Sequence, residues 1–544
     1  MNKQTKIKTL TIYLIPALIA GAIKLFIFPI EITPFNADEA IVALMARHIN
    51  QGNIPVFFYG QAYMGSLDSM LVALGFKIFG EAIWVLRFVQ GLLYIGTVFT
   101  TTLLADRLLN SKRAALYAGL IMAIPPINMT LYSTVSLGGY GEMLLVGNLL
   151  LLGGLSIIEQ VRDQKSGSTI NIYTGLFLWG IGAGFSFWIL GLTLVYSLPV
   201  IFFMLYYLVK RKLWKAFIPG LILLSGGIIG SSPWWFSAVQ ANNLGIITEL
   251  AGGAIKGAGT SSWFLRPLER TLNLFVFGGT ALIGLRPPWD IRWLMLPLLP
   301  IILIFWLSVL VLSIKNLFKN PEHDGLKILS LMGLILAAGF IFSPYGDDPS
   351  GRYFIPLMMP MAIFAADLLV TQFHEKKTLE FASILLILIF NLGGTIQSIK
   401  VNPPGITTQF DKIAQVDHRY MEELITFLEE NQIHAGYSNY WVSYPLAFLS
   451  GEEMIFLPRL PYHEDFRYTA RDDRYHPYQE VVKTADELAY ITTNHPDLND
   501  YLRVEFSNRG LSWEEKTIGD YQIFFNFSKS IYVDELGLGV TTTP

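Results

Sequence analysis

Cysteine is missing from this 544-residue sequence, so disulfide bonds, thiol nucleophiles and thiolate metal ligands are excluded. Charged residues are scarce as well, at 15% against about 25% in an ordinary soluble domain. Basic residues are not in excess, because the net charge is −3, and no basic surface is available to bind nucleic acid. Hydrophobic residues make up 52% of the chain. This composition is typical of a membrane protein.

Long apolar runs fill the chain up to residue 397. Runs of about 17–25 apolar residues cross a bilayer as helices, and the sequence contains about eleven of them. The predicted spans are 9–30, 83–105, 114–133, 142–159, 172–189, 191–209, 216–236, 293–314, 328–343, 353–372 and 379–397. We therefore predict an α-helical polytopic membrane protein whose transmembrane domain covers residues 1–397.

Basic residues in the loops predict the orientation of these spans. With eleven spans, every cluster of Lys and Arg falls on one side of the membrane, as the positive-inside rule requires. The N-terminus is then cytoplasmic, and the C-terminus lies outside the plasma membrane, which is the inner membrane of a bacterium. The first span reads as an uncleaved anchor, in whose outer half Lys24 can extend its amine to the interface.

Three segments outside the spans are too long to be plain connectors. Residues 31–82 carry two amphipathic stretches that we expect to lie in the membrane interface. Residues 237–292 form a second outer loop, and the Gly-rich stretch Ala251–Gly259 suggests a mobile lid or a re-entrant segment there. Residues 398–544 contain no spanning run and predict a small extracytoplasmic α/β domain. Its expected strands are 455–457, 488–492 and 521–527.

An adjacent acidic pair, Asp38-Glu39, follows the first span. A carboxylate beside apolar surroundings has its pKa moved toward neutrality, which suits a general base that acts on a lipid-borne substrate. The pair also fits a structural role, because Asn36 and Glu39 have the spacing of a capping box and acids favour the first turn of a helix. Both interpretations stay open on these residues alone.

Further charged residues fall at the same predicted outer face. Glu142 opens the fourth span, and Arg352 and Tyr353 open the tenth. Arg87 lies near the start of the second span. Arginine binds phosphate through two parallel hydrogen bonds and a carboxylate can take a proton from a hydroxyl, so the set suits a phosphate-linked sugar. As structural alternatives, Glu142 can stabilise a helix N-terminus and Arg352 can anchor the membrane interface.

The acids at this face also raise the question of a metal ion. Asp347 and Asp348 lie in a Pro- and Gly-rich stretch that is typical of a turn. A divalent ion held by these two acids, or by Asp38 and Glu39, is an alternative to metal-free chemistry. We favour a site without a metal and without any other cofactor.

The first outer loop resembles that of the C-type glycosyltransferases. The residues that carry the resemblance are Asp38-Glu39-Ala40, Ala46-Arg47, Gly52, Pro55, Tyr59-Gly60, Phe79-Gly80 and Arg87. The most similar group is family 39, which is related to the protein O-mannosyltransferases and to the aminoarabinose transferases that modify lipid A. The start of span four at Glu142 resembles the second acidic position of that fold, and Arg352-Tyr353 resembles its segment that meets the lipid phosphate.

The resemblance, strongest over residues 36–90, implies a polyprenyl-phosphate-linked sugar as donor. It implies an inverting transfer, hexosyl or pentosyl, on the extracytoplasmic face. Asp38 would be the general base, with Glu39 and Glu142 as supporting acids. The donor phosphate would be bound by Arg352, Tyr353 and Arg87.

The acceptor is less defined by this resemblance. Relatives often carry a Lys-Pro-Pro stretch where this chain reads 60–68, so a lipid, a glycan or a protein hydroxyl all remain acceptors to consider. Tyr59, Gln61 and Asp68, in and beside this departing stretch, are the candidate substrate-binding residues. Membrane lipids are the other expected partners.

Two other functional classes are compatible with a polytopic chain. A transporter or flippase of lipid-linked sugars places polar groups at mid-membrane and usually contains repeats, whereas these spans hold almost no charge at mid-depth and show no repeat. A non-catalytic scaffold for the C-terminal domain leaves the convergence of Asp38, Glu142 and Arg352 unexplained. A membrane glycosyltransferase is the favoured prediction.

Overall fold

A computed structural model of the protein describes residues 3–29, 31–163, 169–211, 213–240, 264–319, 324–401 and 405–541. Within these ranges, nine helices are long and apolar enough to cross a membrane. The pair Phe217–Gly230 and Ser232–Gln240, bent by 61° at their junction, gives a tenth span if it crosses as one. The protein is a multi-pass helical membrane protein with a small sheet-containing C-terminal region, as the sequence predicts.

The helices up to residue 401 follow one another with short connections, apart from the loop segments described below. They are α1 (Lys3–Ile27), α2 (Ala37–Asn50), α3 (Leu67–Phe79), α4 (Ile83–Leu109), α5 (Lys112–Ala123), α6 (Ile127–Tyr132), α7 (Tyr140–Asp163), α8 (Thr169–Ile189), α9 (Leu194–Arg211), α10 (Leu213–Gly230), α11 (Ser232–Gln240), α12 (Arg266–Asn273), α13 (Leu299–Lys319), α14 (Asp324–Phe342), α15 (Met358–Gln372) and α16 (Lys377–Val401). A 3₁₀ turn, Arg352–Leu357, leads directly into α15.

One predicted span, 114–133, is not a continuous helix. Helix α5 ends at Ala123 and α6 begins at Ile127, with Pro125 and Pro126 between them. Proline has no backbone N–H and disfavours helical geometry in the residue before it, so the apolar run breaks at this point. The Gly-rich stretch Ala251–Gly259 lies outside the described residues, so the lid or re-entrant segment stays a prediction.

The predicted interfacial position of Lys24 is wrong. Its amine is 2% exposed and donates hydrogen bonds to the Thr130 carbonyl at 3.1 Å, the Ser133 hydroxyl at 2.6 Å and the Thr134 hydroxyl at 2.7 Å. The ring of Tyr94 lies 4.5 Å from the same nitrogen. The broken third span offers the carbonyl and hydroxyl acceptors that a buried ammonium needs, and hydropathy alone does not reveal them.

The first outer loop folds over the end of the helical bundle. The two amphipathic stretches form α2 and α3, and an unpredicted antiparallel hairpin of β1 (Phe57–Phe58) and β2 (Gln61–Gly65) lies between them. Helix α2 contacts α3 on one side and the C-terminal region on another. Its side chains are therefore nearly all buried, although it is not a spanning helix.

The C-terminal region, residues 405–541, combines helices with a mixed sheet. The helices are α17 (Met421–Glu430), α18 (Tyr440–Leu449), α19 (Pro477–Lys483) and α20 (Pro496–Asn508). The strands are β3 (Ala435–Ser438), β4 (Ile455–Pro458), β5 (Arg467–Thr469), β6 (Ala489–Thr493), β7 (Glu514–Ile518), β8 (Tyr521–Phe525) and β9 (Gly539–Thr541).

The main sheet has the order β4-β3-β6-β8-β7, in which β3 runs parallel to β4 and β6 and the other pairs are antiparallel. The three strands predicted from the sequence correspond to β4, β6 and β8. The domain boundary at 397/398 stays a prediction.

The C-terminal region is attached to α2 by several polar contacts. The Arg47 guanidinium donates to the Phe448 carbonyl at 3.0 Å, and its carbon lies 4.7 Å from the centre of that residue's ring. The Glu452 carboxylate lies 2.9 Å from the His48 ring and 3.4 Å from Arg47. Burial opposes ionisation of Glu452, but the hydrogen bonds from His48 and Tyr478 and the charge of Arg47 hold its pKa below the ordinary value.

Candidate active site

A cavity of about 260 Å³ opens where α2, the hairpin and the C-terminal region meet. The part of the chain up to residue 401 contributes its polar residues Asp38, Gln61, Tyr63, Tyr140 and Arg352. The C-terminal region contributes Tyr440, Trp441, Tyr462, Thr469, Arg471, Asp472 and Arg474, and the rest of the lining is Phe58, Met64 and Leu137. Two carboxylates, three guanidinium groups and several aromatic rings therefore face one space.

Asp38 reaches this cavity from the first turn of α2. The cap of that helix is Asn36, whose side-chain oxygen accepts from the Glu39 backbone N–H at 3.0 Å. Glu39 does not complete the capping box, because its carboxylate pairs with Arg87 instead. Asp38 is free of the capping role and is only partly buried. Its Oδ1 accepts a hydrogen bond from the Tyr440 hydroxyl at 2.6 Å.

Glu39 and Arg87 do not line the cavity. The Arg87 Nε and Nη2 atoms donate to the two Glu39 oxygens at 3.1 and 2.9 Å, and both side chains are completely buried. A further Arg87 nitrogen donates to the Phe28 carbonyl. Two charges that satisfy each other out of solvent are suited to holding α2 against α4 rather than to meeting a substrate.

Asp68 and Glu142 are buried behind the cavity. Asp68 accepts from the Gln90 amide at 2.8 Å, the Ser136 hydroxyl at 2.7 Å and the Gly138 N–H at 3.1 Å, so it supports the turn before α7. Burial raises the pKa of Asp68, and these three hydrogen bonds lower it. Both carboxylate oxygens of Glu142 are buried and have no hydrogen-bond partner among the described residues.

Tyr59 lies beside the cavity rather than on its wall. Its hydroxyl is 2.9 Å from the His48 ring, and its ring stacks on Tyr475 at 4.8 Å. Gln61 does line the cavity. With its amide oxygen turned toward Arg474, that oxygen accepts from both terminal guanidinium nitrogens at 2.8 Å.

Arg352 forms the wall of the cavity at the start of the tenth predicted span. One of its terminal nitrogens lies 2.7 Å from an Asp348 oxygen, and it donates to the Tyr353 hydroxyl at 3.2 Å. The Arg352 Nε atom is buried without a hydrogen-bond partner among the described residues. Asp347 is paired elsewhere, with the guanidinium of Arg270 at 3.0 and 2.9 Å.

A metal ion remains the alternative raised above. The two turn acids that the sequence suggested as ligands each accept from an arginine, Asp347 from Arg270 and Asp348 from Arg352. Within the described ranges, no group of three or more His, Asp or Glu side chains is placed to hold a metal. Metal independence stays a prediction.

The C-terminal wall was missed by the sequence prediction. Asp472 is 6% exposed, and its burial raises its pKa to about 6, which Asp38 also favours, while Arg474 and a hydrogen bond from Tyr462 oppose it. Arg474 donates to the Gly60 carbonyl at 3.3 Å. A Cβ at Gly60, where φ is +67°, would lie 2.7 Å from the Arg474 side chain. The close approach therefore needs glycine.

The signal for this wall is present in the sequence as the charged run Arg471–Arg474. Nothing in the run indicates that it faces Asp38, because the partners are more than 400 positions apart, as the separation of 402 between Asp38 and Tyr440 illustrates. Trp441 and Arg474 each present a buried N–H to the cavity lining that lacks an acceptor among the described residues. Together with Arg352 Nε, three such donors border the cavity.

Comparison with solved structures shows which architecture this is. The crystal structure of ArnT from Cupriavidus metallidurans bound to undecaprenyl phosphate superposes with a TM-score of 0.57 at 12% identity, over 95% of this chain and 98% of ArnT. The oligosaccharyltransferase of Archaeoglobus fulgidus in the apo form gives 0.53 at 12% identity, over 98% of this chain and 76% of that one. The protein has the C-type glycosyltransferase fold.

Nearly the whole chain takes part in this C-type glycosyltransferase fold, including the C-terminal region. ArnT in its apo state matches equally well, with a TM-score of 0.56. The aminoarabinose transferases named from the first outer loop are therefore confirmed as structural neighbours. Neither a protein-family model nor a curated protein sequence matches the chain.

Proposed function

We propose that the protein is a membrane glycosyltransferase that moves a sugar from a polyprenyl-phosphate-linked donor to an acceptor hydroxyl. The observation that carries the proposal is the composition of one cavity. A carboxylate, Asp38, shares it with three N–H donors, on Arg352, Trp441 and Arg474, that lack acceptors among the described residues. Buried donors without acceptors cost free energy, and phosphate or sugar oxygens would satisfy them.

Asp38 is the proposed general base. The acceptor hydroxyl gives its proton to the carboxylate, and the acceptor oxygen forms a bond to the anomeric carbon of the donor sugar. The bond between that carbon and the phosphate oxygen breaks on the opposite side, so the configuration inverts. The phosphate leaves on the lipid with the electron pair of the broken bond.

Arg352 is the proposed partner of that phosphate. Its planar guanidinium suits phosphate oxygens better than the point charge of a lysine does, and Asp348 holds one end of it in place. Tyr353 supports the same guanidinium through its hydroxyl. The ArnT neighbour was crystallised with undecaprenyl phosphate, which supports a polyprenyl phosphate as the lipid here. Because arginines supply positive charge at the cavity, we propose that transfer needs no metal ion.

The proposed location is the bacterial inner membrane, with the cavity on its extracytoplasmic side. The argument is the positive-inside rule applied to the loop residues Arg107, Lys112, Arg162 and Lys210, which lie at the ends of the spans away from α2. The donor sugar is a hexose or pentose, and the acceptor is a lipid, glycan or protein hydroxyl.

The test uses purified protein in vesicles that contain undecaprenyl phosphate linked to a radiolabelled hexose or pentose. We expect the label to leave the lipid, as free sugar or on an added acceptor. Undecaprenyl phosphate without sugar should inhibit this release, since it competes for Arg352. If the labelled lipid instead crosses the vesicle membrane with its sugar still attached, the protein is a flippase and the proposal is wrong.

A further inference from the structure

The Tyr440 hydroxyl makes the one direct hydrogen bond from the C-terminal region to Asp38 that the described residues show. Its oxygen lies 2.6 Å from Asp38 Oδ1. Tyr440 is the first residue of α18 and is only 3% exposed. The Asn439 side chain caps this helix by accepting from the Trp441 N–H at 3.0 Å, and it donates to the Thr493 hydroxyl at 2.7 Å. The position of the phenol is therefore set by the sheet of the C-terminal region.

Packing also restricts the ring of Tyr440. The rings of Trp441 and Tyr444 meet it edge-on at 4.8 and 5.5 Å, and the Arg474 guanidinium lies 5.5 Å from its centre. At its other end, α18 is tied to α2 by the hydrogen bond from Arg47 to the Phe448 carbonyl. Two contacts, one near each end of α18, thus hold the phenol against Asp38.

The phenol acts only as a donor in this arrangement. Burial and the nearby Asp38 charge raise the pKa of Tyr440 above its ordinary value, although Arg474 opposes this. Its proton therefore points to Asp38 Oδ1. Oδ2 of Asp38 has no hydrogen-bond donor among the described residues, and Asp38 lines the cavity. One carboxylate oxygen is held while the other stays open to a substrate.

We propose that Tyr440 is a positioning residue for the reaction, so that the C-terminal region completes the active site instead of accompanying it. Its hydroxyl orients the Asp38 carboxylate so that Oδ2 faces the acceptor. This inference rests on the proposed role of Asp38 as the base. A general base must lie within hydrogen-bond reach of the proton that it takes, and a freely rotating carboxylate meets that condition only part of the time.

The test compares Tyr440→Phe with wild type on the undecaprenyl-phosphate sugar that wild type cleaves fastest, with water as the acceptor. We expect kcat to fall about 10- to 100-fold with KM nearly unchanged, because orientation of the base is lost and substrate contacts are kept. Removing a hydrogen bond to the charged carboxylate raises the pKa of Asp38, so the acidic limb of the rate profile should move up by about one pH unit. The other groups that act electrostatically with Asp38 are Arg474, Asp472 and Tyr132.

The matched control is Tyr490→Phe. Tyr490 is also a buried tyrosine of the C-terminal region, and its hydroxyl donates to the Ile531 carbonyl at 2.8 Å, away from the cavity. This variant should keep wild-type kcat and the wild-type pH profile. Should Tyr440→Phe fail to fold, Tyr440→His keeps a ring N–H donor and should show the same shift in a weaker form.

Two results would overturn the inference. An unchanged kcat and pH profile in Tyr440→Phe would show that Asp38 needs no orientation by the phenol. A faster Tyr440→Phe would show that the phenol blocks the base as a latch. Asp38→Asn, measured beside it, separates this failure from that of the proposed function. If Asp38→Asn stays active, Asp38 is not the base, whatever Tyr440 does.

Discussion

Asp38 and Glu39 are neighbours in the chain, but their carboxylates lie in opposite settings. Glu39 is completely buried and shares two hydrogen bonds with Arg87, which is also completely buried. Asp38 faces a cavity, accepts one hydrogen bond on one oxygen and leaves the other open. The arginines differ in the same way, since the Arg352 Nε lacks an acceptor among the described residues.

The comparison separates charges that stabilise from charges that can react. A buried ion pair with its hydrogen bonds made has no capacity left for a ligand, and removing either member leaves an isolated charge. Charged groups with open positions in a cleft are the usual signature of a functional site. The two classes can be told apart by mutation, because one change should affect folding and the other should affect turnover or binding.

The largest expected effect is on stability, at the buried pair. Arg87→Ala removes the partner of Glu39 and should lower the free energy of unfolding by roughly 3–5 kcal/mol. Thermal unfolding of the purified protein in detergent measures this. The double variant Arg87→Met with Glu39→Leu removes both charges and should recover most of the loss. If Arg87→Ala unfolds like wild type and instead loses affinity for the donor, the assignment of the pair to structure is wrong.

The next effect is on donor binding, at the cavity. Arg352→Lys keeps the charge but loses the planar fork, so the affinity for undecaprenyl phosphate should fall by about 1–3 kcal/mol. Isothermal titration with undecaprenyl phosphate in detergent measures it. Arg107→Lys is the control, because Arg107 pairs with Glu159 at the other end of α4. Unchanged affinity in Arg352→Ala would place the phosphate elsewhere.

The smallest effect concerns Asp472. Its pKa is raised to about 6 in the folded protein, so ionisation of this carboxyl opposes folding as the pH rises from its ordinary pKa of 3.8 through 6. Asp472→Asn cannot ionise. It should match wild type at pH 3.5 and be more stable by roughly 1–2 kcal/mol at pH 7.5, a range discounted from the full shift because the cavity admits water. Thermal unfolding at the two pH values decides it, and a variant less stable at pH 7.5 would contradict the raised pKa.

Much of the membrane part could be predicted from sequence because its signals are local. Apolar runs indicate spans by length alone, and the third span differs only where Pro125-Pro126 breaks the helix. The acidic pair after the first span was recognised, but neighbouring positions on a helix face different directions. The sequence could not show that Asp38 meets the cavity while Glu39 meets Arg87.

The C-terminal half of the cavity was beyond prediction because its contacts are distant in the chain. Tyr440 and Asp38 are separated by 402 positions, and the charged run Arg471–Arg474 has no recognisable spacing. Lys24 was misjudged for a related reason. A buried ammonium is stable only where acceptors surround it, and those acceptors come from α6 and the turn after it, more than 100 positions later in the chain.

The central claim is that Asp38 is chemically active whereas Glu39 is structural, and one paired measurement tests it. Asp38→Asn and Glu39→Gln are each compared with wild type for thermal unfolding and for cleavage of an undecaprenyl-phosphate sugar. We expect Asp38→Asn to fold normally and to lose turnover by roughly two to four orders of magnitude. We expect Glu39→Gln to lose stability and to keep turnover per folded molecule. Full activity in Asp38→Asn, or selective loss of turnover in a stable Glu39→Gln, would contradict this account.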